Sequence, residues 1–177
     1  MNPQVRKQQN LAAIYHALLT LMARKPLATI SITELCQHAQ VSRTYFYRNY
    51  QDFNQIITRY QTQNMLRYLR RLPRSAQVSL ADLMTHYFEL VQSEAGTYQL
   101  LIKNGQLAVL LQTFQTVFQL LKKQHRLHGS RINEPYYLEF FSGAVINVAV
   151  TWVTHGFVES PRYLGDLVAR FASANRP

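Results

Sequence analysis

Residues 31–56 read SITELCQHAQVSRTYFYRNYQDFNQI, and this stretch holds two helix starts either side of a tight corner. Ser31 followed by Glu34 has the spacing of a capping box, in which the hydroxyl accepts from an orphan backbone N–H and the carboxylate reaches back to the cap. A short helix starting there places Ile32, Leu35, Cys36 and Ala39 on one face, at amphipathic spacing. It runs out near Gln40, and Val41 plugs the corner. Ser42 is a good N-cap for a second helix carrying Arg43 through Tyr50. Phe46 and Tyr50, four apart, face inward. That leaves Arg43, Thr44, Tyr45, Tyr47, Arg48 and Asn49 outward, a set of guanidinium forks, hydroxyls and an amide able to meet phosphates or base edges. The pair is expected to be a helix-turn-helix whose second member is a recognition helix.

The same run resembles the DNA-binding end of the TetR family of transcriptional regulators over about Leu11 to Ile56. That family's pattern is a capped Ile-Ala helix, Gly-Val-Ser, then Thr-Leu-Tyr-x-x-Phe and a Lys. Leu35 and Cys36 stand at the Ile-Ala positions, Val41 and Ser42 match outright, Phe46 and Tyr47 stand for Leu-Tyr, and Tyr50 replaces Phe. Two departures matter. Gln40 takes the usual Gly position, so the corner must be turned without glycine's easy positive φ. Phe53 takes the position of the Lys, which in the family commonly meets a DNA phosphate, so Arg43, Arg48 or another group must supply that contact, or binding is weaker.

Composition narrows the class. The 177 residues fit one or two small domains, and 47% hydrophobic content with 12% aromatics is enough for a core, which excludes a wholly disordered chain. A single cysteine excludes an intrachain disulfide framework. With no secretory signal pattern and no Cys-x-x-Cys metal spacing, a cytoplasmic protein is expected. The net charge of +10 is uneven: residues 1–72 hold ten Lys/Arg against Glu34 and Asp52, while 73–177 hold nine against seven acids. An excess of +8 in the segment with the helix-turn-helix points to a polyanion, double-stranded DNA. An anionic membrane surface is the competing partner, but the basic residues are spread over four predicted helices rather than along one amphipathic face.

In chain order, Leu11, Ile14, Tyr15, Leu18, Leu21 and Met22 recur at helical spacing between about Gln4 and Arg24, closed by Arg24-Lys25-Pro26. Arg6 and Lys7 lead this helix, either touching a neighbouring phosphate or forming a solvated start. Asp52 caps a helix through Phe53, Ile56, Ile57, Tyr60, Met65 and Leu69, stopped by Pro73. Arg67, Arg70 and Arg71 near its end suit the negative pole of the helix dipole better than a nucleic-acid contact. Ser79 to Asp82 opens another helix through Leu83, Met84, Tyr87, Phe88 and Val91, and a short one over Gly96 to Ile102 ends at Asn104-Gly105. Leu107, Leu110, Leu111, Phe114, Val117, Phe118 and Leu121 form an amphipathic stripe ended by Lys122, Lys123 and His125. A loop over Arg126 to Asn133, with Gly129-Ser130, leads to a helix begun by Asn133 or Glu134 with Pro135. From Phe140 to Val158 there is no Asp, Glu, Lys or Arg, and apolar residues cover every face, so this helix is expected to be buried all round. Ser142, Gly143, Asn147, Thr151 and His155 break it as a membrane span, which favours burial between subunits, with Gly143 and Ala144 allowing close approach. Ser160-Pro161 starts a last helix through Leu164, Leu167, Val168 and Phe171. The Gly156 and Pro161 landmarks resemble the C-terminal regions of the TetR subgroup containing dihydroxyacetone kinase regulators.

Other candidate chemistry has a structural explanation. Cys36 falls on a buried face where a small residue is wanted, so a structural thiol is the reading. His125 and His128 have i, i+3 spacing at a helix end without a third ligand, so no metal site is assigned. The six glycines are too dispersed for a phosphate loop, and no Ser-His-Asp or paired-carboxylate grouping suggests an enzyme.

The expected fold is all-α, with an N-terminal three-helix helix-turn-helix DNA-binding domain over residues 1–52 and a helical effector-binding and dimerisation domain over 53–177. The expected function is a DNA-binding transcriptional regulator, a repressor acting as a homodimer on a palindromic operator. The residues assigned to DNA are Ser31, Thr33, Ser42, Arg43, Thr44, Tyr45, Tyr47, Arg48 and Asn49. The resemblance further implies pairing through the last two long helices and an effector pocket, for which Tyr60, Tyr87, Tyr98, Phe114, Tyr137 and Trp152 are candidates, although the same aromatics at helical spacing are more often simple core. No cofactor, no metal and no membrane partner is assigned. The alternative is a TetR-like coactivator that acts through a partner protein without specific DNA binding.

Overall fold

Five of the helices begin on a short polar side chain whose oxygen takes a backbone N–H three residues on, the last being Ser160, which accepts from Tyr163 N at 3.2 Å. Ser31 accepts from Glu34 N at 3.1 Å, Ser42 from Tyr45 N at 3.0 Å, Asp52 from Gln55 N at 2.7 Å and Ser79 from Asp82 N at 3.0 Å. Each cap satisfies one of the orphan donors of a helix start. The computed structural model describes residues 3–70, 78–127 and 130–173. Among the described residues the chain is all-α: α1 (Pro3–Met22), α2 (Ile32–His38), α3 (Arg43–Asn49), α4 (Phe53–Leu69), α5 (Leu80–Ser93), α6 (Ala95–Lys103), α7 (Leu107–Lys123), α8 (Tyr137–Thr154) and α9 (Pro161–Ser173). Short 3₁₀ turns lie at Leu27–Thr29 and Ser130–Asn133. The expectations for Arg71, Pro73, His128 and Gly129 fall outside the described residues.

Four of the helix ends follow one device. At Gln40, Gly105, His125 and Gly156 the backbone turns left-handed, with φ of 53°, 71°, 55° and 81°. The next N–H in each case reaches back five residues: Val41 to Cys36 O at 3.0 Å, Gln106 to Leu101 O at 2.9 Å, Arg126 to Leu121 O at 3.0 Å and Phe157 to Trp152 O at 3.0 Å. This is the Schellman closure, which pairs the last orphan carbonyls. Gln40 makes the corner of the helix-turn-helix without glycine, at the cost of its own αL strain.

In packing, α1 lies against α2 and α4, and α2 against α3, so the N-terminal helices form a head around Ile14, Leu18, Leu35 and Phe46. Helix α4 continues into the body, where it meets α7 and α5. The most extensive contact in the chain is α5 on α9, and Gly165 allows it: a Cβ there would strike the Thr85 side chain and sit 2.8 Å from Ala81 O. Helix α8 packs on α7, where Gln115 Nε2 donates to the buried Ser142 hydroxyl at 2.9 Å.

Several expectations are corrected. Glu34 does more than reach back to the Ser31 backbone as the capping box requires: its carboxylate also accepts from Lys25 Nζ at 2.6 Å, a charge-assisted bond added to the cap. Neither Asn133 nor Glu134 caps α8, which starts after Tyr136, a left-handed residue with φ of 62°. Part of the loop before it is a 3₁₀ turn. Leu107 is 43% exposed rather than part of the core stripe, and Phe171 on α9 is 67% exposed.

Helix α8 is not buried all round within the chain. Phe141, Val145, Ala149 and Trp152 are buried, whereas Phe140 is 71% exposed and Ala144, Asn147 and Thr151 are open to solvent. By length and composition alone this one helix among the described residues could cross a membrane, but its buried face is taken by α7 and α6.

Candidate nucleic-acid interface

The corner of the helix-turn-helix sets what α3 can show. With Ser42 capping the helix and Phe46 fully buried against Phe53 (ring centroids 6.0 Å) and Tyr50 (5.9 Å), the helix is pinned through one face. Tyr50 sits just past its end as an extended residue, 5% exposed. Arg43, Thr44, Tyr47 and Arg48 are the residues left in solvent, with Tyr47 59% exposed. Ser31, Thr33 and Ser42 are exposed as well. Three ion pairs occur among the described residues, Lys25–Glu34, Arg162–Asp82 and Arg162–Asp166, so the guanidinium groups of Arg43 and Arg48 are uncommitted to an acid.

Two of the residues read as outward turn inward. Tyr45 is half-buried, its hydroxyl shut off from solvent and its ring edge-on to Tyr50 at 6.2 Å. Asn49 is half-buried too, and its amide donates to Tyr45 O at 2.8 Å. Their positions follow from helical spacing: 42, 45, 46 and 49 share the flank of the apolar seam, which hydroxyl and amide character alone does not reveal. Phe53 occupies the position where the family motif has a Lys, and it packs half-buried on Phe46. It offers no charge to a phosphate.

Cys36 is 3% exposed, and burial pushes its thiol above the ordinary value, the signature of an inert packing residue. The Lys25 ammonium beside Glu34 holds that carboxyl below the usual range. This pair ties the segment after α1 to the first turn of α2, a link that the charges at 25 and 34 did not announce by any short spacing.

The aromatic candidates for an effector site converge only in part: Tyr87 lies edge-on to Phe114 at 5.2 Å, with Tyr98 beside its hydroxyl. Tyr87 and Phe114 line a small apolar cavity of about 20 Å³ together with Met65, Leu83, Val117 and Leu121. Tyr60 belongs instead to the α1–α4 joint, stacked on Tyr15 at 3.8 Å. Tyr98 is fully buried, and its burial raises its hydroxyl pKa. Tyr137 stacks on Phe141 at 5.5 Å, and Trp152 donates to Glu159 O at 3.0 Å. No group of three His, Cys, Asp or Glu able to hold a metal occurs among the described residues.

Comparison with known proteins adds the family. In fold the chain is similar to Lin0861 from Listeria innocua, with a TM-score of 0.77 at 16% identity over 97% of this chain and 93% of that one. It is similar to a TetR transcriptional regulator from Rhodococcus sp. RHA1 (TM-score 0.60, 12% identity, 97% and 100% covered). It is also similar to the dihydroxyacetone kinase operon activator DhaS (TM-score 0.57, 13% identity, 93% and 94% covered). None of the curated proteins matches the chain. The TetR-family model of a transcriptional regulator C-terminal region matches residues 79–174, more than half the sequence, so the chain belongs to the TetR family of transcriptional regulators.

Proposed function

We propose that the protein binds double-stranded DNA as a homodimer, placing one α3 per protomer in adjacent major grooves of a palindromic operator, and that it represses by occupying that site. The observation that carries this reading is the Ser42-capped helix presenting Arg43, Thr44, Tyr47 and Arg48 to solvent with no acid paired to either arginine. Arg43 and Arg48 supply phosphate or guanine contacts, Thr44 and Tyr47 add hydroxyls, and Ser31, Thr33 and Ser42 add support from the start of α2 and the corner. Tyr45 and Asn49 orient the helix from its inner flank rather than meeting bases directly. The proposed division puts DNA binding in residues 1–52 and dimerisation and effector response in 53–177, and a cytoplasmic location follows from the partner.

The open face of α8 supports the homodimer, since Phe140 on it is 71% exposed. An effector entering beside Tyr87 and Phe114 must widen a cavity of about 20 Å³, roughly one water in size. It would act by favouring a head spacing other than the operator-bound one.

The test is fluorescence anisotropy with DNA from upstream of the protein's own gene, beside a scrambled duplex, at about 0.15 M salt where non-specific binding is weak. A preference of about a thousandfold is expected for a specific regulator, and Arg43→Ala should lower the affinity at least about tenfold, the removal of one charge-assisted hydrogen bond. Equal weak binding to both duplexes, unchanged by Arg43→Ala, would instead favour the coactivator working through a partner protein, the reading for which an uncharged Phe53 is the motive.

A further inference from the structure

The head carries cations that the recognition helix does not account for. Helix α1 brings Arg6 and Lys7 to one wall of a groove of about 520 Å³ whose opposite wall is the helix-turn-helix corner, Gln40 to Ser42, and the inner flank of α3. A second groove, of about 470 Å³, lies on the other side of Lys7 and is bounded by Tyr50 and by Arg59 of α4. Lys7 lines both, so the two grooves run on from one another past the residue that ends α3. No Asp or Glu lines either groove, and α1 has no acid anywhere along its length. Arg6, Lys7 and Arg59 are exposed and take part in none of the ion pairs among the described residues. Arg59 is held in place by the Tyr50 ring, with its guanidinium carbon 5.4 Å from the centroid. This orients the fork without neutralising it.

We propose that Arg6, Lys7 and Arg59 form a second phosphate-binding row, which takes the DNA backbone beside the groove read by α3 and supplies the positive charge that Phe53 does not. The row deepens the DNA-binding reading given above and depends on it. A backbone strand fits better than a compact anion, because two open grooves in series match a repeating charge rather than a single one. The row reads no sequence: its cations hold phosphates, release counterions and fix the register of the head on the duplex. The solvated helix start that the same residues would otherwise represent gives no reason for Lys7 to stand between two grooves free of acids.

The test measures affinity for a random-sequence duplex as a function of salt, for the full chain and for Arg6→Gln/Lys7→Gln/Arg59→Gln. A third protein, Lys123→Gln, removes one exposed charge from the body as a control. Each phosphate partner removed lowers the slope of log affinity against log salt by about 0.9, so the triple variant should drop by about 2 to 3 in slope while Lys123→Gln keeps the parent value. The Gln side chains keep the apolar stems on exposed positions, and an unchanged melting temperature confirms that the fold is intact. A triple variant that keeps the parent slope overturns the row while leaving the α3 reading standing, as would a control that falls as far per charge. If the parent chain binds no duplex at all, with no slope to measure, the DNA-binding reading itself fails and the row fails with it.

Discussion

Gly165 shows how one atom sets the packing of two helices. Alanine normally stabilises a helix over glycine by about 1 kcal/mol, but here a Cβ would sit 2.7 Å from Thr85 N and 2.8 Å from Ala81 O and would strike Thr85 Oγ1. Two of those three are backbone atoms of α5, which cannot rotate away. Gly165→Ala should therefore cost about 1 to 3 kcal/mol, the usual range for overpacking, measured as a lower urea midpoint, and Thr85→Ser should not restore it. A gain in stability would show that α9 is free to slide on α5. At this scale the sequence was informative wherever chemistry is local. Ser31, Ser42, Asp52 and Ser79 could be read as caps because the bond runs three residues along the chain, and Gln40 could be read as strained because the corner has to turn left-handed. Gly165 could not be read this way, since its reason lies on another helix 80 residues away in sequence. Tyr45 and Asn49 were misread for a similar cause: a hydroxyl or an amide says nothing about which side of the seam it falls on.

The joint between α1 and α4 is the element that couples head to body, and a buried polar pair holds it. Gln61 is 1% exposed, and its amide donates to the Tyr15 hydroxyl at 2.7 Å, while the Tyr15 ring stacks on Tyr60 at 3.8 Å. Tyr15→Phe keeps the stack and removes the acceptor, leaving an amide N–H buried and unpaired. The expected cost is about 1 to 3 kcal/mol, read by denaturant unfolding, and Tyr15→Phe/Gln61→Leu should recover much of it by removing both polar partners. Equal stability of the single variant and the parent would mean that water reaches the amide. Element by element, helices with one apolar stripe fell where the spacing put them, within a residue or two. Helix α8 is the exception that teaches most: the sequence from 140 to 158 lacks charge on every side, yet part of it, Phe140 above all, stands open to solvent. Composition reports that a face avoids water; it cannot say whether the cover comes from the same polypeptide.

At the scale of the whole molecule, the charge and the open face of α8 belong to one argument. A net +8 in residues 1–72 against +2 in the remainder concentrates the positive charge in the head, while most of the exposed large apolar residues lie in the body, among them Phe140 on α8 and Tyr163 and Phe171 on α9. In the proposed homodimer, joining two protomers through the body would bring two cationic heads onto one duplex, and the second head would then bind at an effective concentration that raises affinity by about 10² to 10⁴ without any further interaction. Phe140→Glu places a charge on the open face, where a stable interface would need to bury about 1,000 Å² or more of apolar-rich surface. The variant should sediment as a 20.6 kDa monomer where the proposed parent dimer should sediment at twice that mass, with the same helical circular dichroism, because Phe140 is 71% exposed in its own protomer. Its affinity for a two-half-site duplex should fall by about a hundredfold or more, while its affinity for a single half-site stays at the parent's value. A variant that stays dimeric would move the interface away from Phe140, and one that turns monomeric yet holds the full duplex as tightly would show that a single head carries the binding.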